Sequence, residues 1–102
     1  DLTFLDYLKR GGKAVISVTA NVRPLMMHQI CNLVEENKIQ DAEKLNLKLA
    51  LLHKAMFIES NPIPVKWMLT KMGMIKQYMR LPMVELDPNN AKILNEGFEL
   101  SA

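Results

Sequence analysis

Residues 12–22 read GKAVISVTANV, and the architecture of the whole chain turns on them. Residues 14–18 are apolar except for Ser17, rich in β-branched side chains, and bounded by Gly11 and Gly12 on one side and Asn21 on the other. Such a run predicts a strand covered on both faces, as in parallel sheets. Just before it, DLTFLDYLKR places Leu2, Leu5 and Leu8 at three-residue spacing. That spacing predicts a short amphipathic helix with Asp1 as its N-cap and the glycine pair as its end. Helix, two glycines and a buried strand make the second half of a βαβ unit.

From Pro24 onward the pattern is helical almost to the end. Pro24 suits a first helical position, and Leu25, Ile30, Leu33 and Val34 share one face. The strongest helix is expected over residues 41–58, where Leu45, Leu49, Leu52 and Met56 form a stripe broadened by Ala42 and Leu51. Asn61 as cap and Pro62 at the first position predict another helix, closed by Gly73. QYMRLPMVEL, with Pro82 inside it, predicts an irregular stretch; Asp87 and Pro88 then open a final helix reaching about Phe98. The result is four or five helices and one strand. A central strand with no neighbour buries unpaired N–H and C=O groups at ~1–3 kcal/mol each, so its partners are expected outside these residues.

The totals narrow the class. In 102 residues, 49% are hydrophobic and 24% charged, a globular balance. With a net charge of +2 and scattered Lys and Arg, no basic stripe offers itself to nucleic acid. No apolar run approaches the ~20 residues of a membrane span. One cysteine, Cys31, rules out an internal disulfide framework and suits a reducing compartment, so a cytoplasmic protein is expected. Eight Met favour an adaptable core over an adaptable interface.

No catalytic constellation is complete. His28 and His53 lie on separate helices without neighbouring Cys or His, so each reads as a surface or satisfied, partly buried histidine and no metal site is expected. Cys31, between Ile30 and Leu33, reads as an inert thiol. The glycine pair lacks a phosphate-loop pattern, and Glu35 and Glu36 beside Lys38 read as a solvated helix end. Nothing near Tyr7 or Tyr78 tunes them as proton donors. Lys13 precedes the strand, which in an α/β barrel puts it at the face opposite the active one. Lys66, beside Trp67, is expected to pack its stem or meet a carboxylate rather than form a Schiff base. The far end of the strand, residues 16–21, is where a ligand pocket would be approached.

These blocks carry a resemblance. GGKAVISVTANV, NPIPVKW about forty residues later, and RLPMVEL after that are similar, in order and spacing along the entire chain, to the C-terminal part of the 4-hydroxy-tetrahydrodipicolinate synthase family. Pyruvate-dependent relatives such as N-acetylneuraminate lyase and keto-deoxy-sugar aldolases share the fold but resemble the blocks less well. The resemblance implies an α/β fold, the C-terminal part of a (β/α)8 TIM barrel, with residues 1–38 its last strand and flanking helices and residues 39–102 a helical C-terminal domain. A barrel takes roughly 250 residues, so the resemblance makes this chain the tail of a longer enzyme.

It further implies a lyase of lysine and diaminopimelate biosynthesis that condenses pyruvate with aspartate semialdehyde and needs no cofactor. The Schiff-base lysine, on strand six, the proton-relaying tyrosine and threonine, and the feedback-lysine site all fall upstream, so no catalytic residue is expected here and the segment alone is expected to be inactive. Ile16 matches the isoleucine that contacts pyruvate, and Ser17 and Asn21 belong to the same block and are candidates for the pocket rim. The family assembles as a homo-oligomer, tetramer or dimer, with the first helix near a subunit contact; Lys9 and Arg10 charge that face. The reading of another class is a free-standing helical interaction module in which residues 13–18 form no strand. Kept alone, an open strand edge is expected to pair with a second copy.

Overall fold

The computed structural model describes residues 1–102 and contains five α-helices: α1 (Phe4–Lys9), α2 (Pro24–Glu35), α3 (Ile39–Ala55), α4 (Ile63–Lys71) and α5 (Pro88–Leu100). A 3-10 turn, Thr19–Asn21, precedes α2. Helix α3 is the spine. It packs against α2 and α5, α4 packs on α5, and α1 touches both α2 and α3. Leu49, Leu52, Met56, Ile30 and Leu94 are fully buried around it, so the predicted stripe does face the core. Burying each such side chain is worth about 1.5–3 kcal/mol, which is what holds helices this short in place. Gly97 lets α5 approach α3 closely: a Cβ there would lie 3.1 Å from the Leu52 backbone nitrogen. Three of the Met, at 27, 56 and 68, belong to the core, whereas Met72 and Met74 are exposed.

Local chemistry sets most helix ends. Gly11 (φ +94°), Asn37 (φ +57°) and Gly73 (φ +74°) take the left-handed conformation that closes α1, α2 and α4. Pro24 and Pro88 each occupy the first turn, and the Asp87 carboxylate accepts from the Asn89 N–H as a true N-cap. The stretch between α4 and α5 is irregular, as its Pro82 predicts.

Three expectations are corrected. Asp1 does not cap α1; Thr3 takes that position, and the Asp1 side chain reaches residues 18 and 19 instead. Asn61 makes no cap either: α4 begins at Ile63 with Pro64 in its first turn, and Pro62 is the residue before it. Elsewhere on α4 the Lys71 ammonium lies 5.4 Å from the Trp67 ring centroid. One helical turn separates Trp67 from Lys71, the spacing that brings side chains over one another.

The third concerns the opening stretch. Residues 13–17 form no strand within this chain: they make no backbone–backbone hydrogen bond, and Ile16 is fully exposed. A strand is a property of a pair, and no other segment of the chain lies alongside to complete the ladder.

Candidate functional site

The site is organised around this open segment, which is held at both ends and free between them. At its start the Gly12 N–H donates to the Tyr7 carbonyl at 2.9 Å, tying it to α1. At its end one oxygen of Asp1, Oδ2, accepts three hydrogen bonds: from the Val18 N–H at 3.1 Å, the Thr19 N–H at 3.0 Å and the Thr19 hydroxyl at 3.1 Å. Short acidic side chains favour this role because they satisfy backbone donors that the 3-10 turn leaves over.

Thr19 is fully buried, and its Oγ1 shares a 2.8 Å hydrogen bond with Nδ1 of His53 on α3. Phe4 of α1 packs edge-on against the same imidazole, ring centroids 6.1 Å apart. Burial pushes the His53 pKa down to about 4. The ring is therefore neutral at pH 7. Asp1 Oδ1 and His53 Nε2 are both buried without a partner in this chain.

The residues singled out from the sequence fall on either side of this clasp. Ile16 stands in the open part and lines no cavity of the chain. The Ser17 hydroxyl accepts from the Ala20 N–H at 3.0 Å, and the Asn21 amide donates to the Val18 carbonyl at 3.0 Å, so both side chains shape the turn that follows Ile16. Lys13 lies at the other end, against a cavity of about 220 Å³ also lined by Leu8, Cys31 and Glu35. Burial, and then the Glu35 carboxylate, raise the Cys31 thiol pKa, which keeps it protonated and unreactive. His28 is exposed on α2 and pairs with Asn32, and Lys38 meets Glu36 at the end of the same helix. The sequence reading missed the joint placement of Asp1, Thr19 and His53. Its one signal was a histidine inside the apolar stripe of α3.

The family model described as the dihydrodipicolinate synthetase family matches residues 1–98. The chain belongs to this family. Among curated relatives it is 50% identical over 96 residues to the 4-hydroxy-tetrahydrodipicolinate synthase of Thermodesulfovibrio yellowstonii, covering 94% of this chain and 33% of that protein. It is 49% identical over 87 residues to the enzyme of the same name from Saccharophagus degradans, covering 85% and 30%. The chain thus spans about a third of the length of the family members it matches. The dihydrodipicolinate synthase structure from Thermotoga maritima superposes with a TM-score of 0.93 at 35% identity, over 98% of this chain and 34% of that one. The chloride-inhibited Acinetobacter baumannii enzyme, complexed with pyruvate, gives 0.91 at 38% identity, over 98% and 34%. The five helices are accordingly the mostly helical segment of an α/β-barrel fold.

Proposed function

We propose that this chain is the C-terminal portion of a Schiff-base lyase that condenses pyruvate with aspartate semialdehyde to 4-hydroxy-tetrahydrodipicolinate, in lysine and diaminopimelate biosynthesis. The agreement in sequence and backbone with synthases of that name over nearly every residue carries the proposal. In this reading residues 1–38 complete the barrel and residues 39–102 form the helical C-terminal domain. Residues 13–17 become the eighth strand once neighbouring strands supply hydrogen-bond partners, and Ile16, bare in the chain alone, turns toward bound pyruvate. Ser17 and Asn21 hold the rim by their bonds within the turn. The nucleophilic lysine comes from the preceding part of the enzyme, which works as a cytoplasmic homo-oligomer.

A graft tests this. Residues 1–98 replace the matching residues of the Thermodesulfovibrio yellowstonii enzyme, and the hybrid is assayed with pyruvate and aspartate semialdehyde. Synthase activity is expected, and a folded but inactive hybrid overturns the reading. In parallel, pyruvate and borohydride are expected to leave the mass of the 102-residue chain unchanged. A stable adduct on it would contradict the assignment of the Schiff-base lysine to another part of the enzyme.

A further inference from the structure

We infer that Asp1, Thr19 and His53 form a directional hydrogen-bond relay that positions the segment carrying Ile16, with His53 donating to Thr19 and Thr19 donating to Asp1. The relay rests on the pyruvate-contact reading of Ile16 given above, but its geometry stands in this chain alone. Three elements far apart in sequence meet in it: the chain before α1, the 3-10 turn and the last turn of the core helix α3.

The direction follows from counting protons. A threonine hydroxyl has one proton, and a carboxylate only accepts. Thr19 Oγ1 lies 3.1 Å from Asp1 Oδ2 and 2.8 Å from His53 Nδ1. Were the hydroxyl proton turned to His53, two oxygen lone pairs would face each other at the carboxylate. Hence Thr19 donates to Asp1, and the neutral imidazole carries its proton on Nδ1. The same Asp1 oxygen also accepts from the Val18 and Thr19 N–H groups, so the relay fixes the backbone two and three residues beyond Ile16. Thr19 and His53 are 0% and 1% exposed, so water does not compete for these bonds. His53 is thereby a positioning residue: it acts on Ile16 through Thr19 and touches no reacting atom.

Imidazole 15N–1H correlation on the unsubstituted 102-residue chain at pH 7 reads the direction. The expected result is a protonated Nδ1 and a bare Nε2; the opposite tautomer overturns the relay. Amide exchange reads the positioning. Thr19→Val is expected to speed exchange at Val18 and Thr19 by about tenfold, the value of one hydrogen bond, while Leu49 and Leu94 keep their protection and Thr19→Ser restores the original rates. Equal loss of protection at all four positions, or none, overturns it. In the active hybrid, His53→Phe and Thr19→Val are expected to raise the KM for pyruvate severalfold and leave that for aspartate semialdehyde unchanged. Unchanged KM for both substrates in a working hybrid refutes the relay but not the function. An inactive unsubstituted hybrid refutes the function, and the tautomer and exchange results still judge the relay.

Discussion

Residues 13–17 and the apolar stripe of helix α3 are both marked by the sequence for burial, yet only the stripe is buried. A helix satisfies its backbone internally, so α3 needs only apolar surfaces to lie on, and α2 and α5 provide them within the same chain. A strand needs another backbone at hydrogen-bond distance. Residues 13–17 find none and remain bare, with Ile16 wholly exposed. The difference lies in where each element's partners reside rather than in hydrophobicity.

Breaking the buried side of that contrast should have the largest effect. Leu52→Ala removes a fully buried side chain from the core face of α3 and is expected to cost about 2–5 kcal/mol in urea denaturation. Acid should act on the same helix through His53. Its folded pKa, about 4, lies below the ordinary 6.5, so the unfolded chain takes up the proton first. Its share of stability is complete above pH 6.5, falls as the pH drops toward 4, and changes no further below that, for a total of roughly 3 kcal/mol. His53→Phe should remove this part of the pH slope, and an unchanged slope in the variant would assign it elsewhere.

Gly97→Ala sharpens the contrast on a smaller scale. Better helix propensity offsets part of the clash with the α3 backbone, which leaves a destabilisation of about 1 kcal/mol measurable by thermal unfolding. Ile16→Ala, on the open side, should change the stability of the chain by less than about 0.5 kcal/mol. A larger loss would mean that the segment is buried after all.

What the sequence disclosed follows the same division. Pro24, Gly73 and the Asp87–Pro88 pair act on their own backbone or a residue or two away, so their helix boundaries were readable locally. The stripe from Leu45 to Met56 was readable because its period is that of the helix. The Asp1–Thr19–His53 contacts were not. They span 18 and 34 residues, and neither Asp1 nor Thr19 departs from what a cap or a strand residue looks like. GKAVISVTANV was half legible: its resemblance led to the family, while its strand character depends on neighbours that no local pattern contains. Ile16, Ser17 and Asn21 were named through that resemblance, and periodicity alone would have marked Ile16 as one more buried residue.

The most direct test compares amide exchange at Val15 and Ile16 in two settings, the dilute 102-residue chain and the hybrid synthase. The account predicts exchange near the unprotected rate in the chain alone and strong protection in the hybrid, as the segment joins the barrel. Protection in the dilute monomeric chain, or free exchange in an active hybrid, would contradict it.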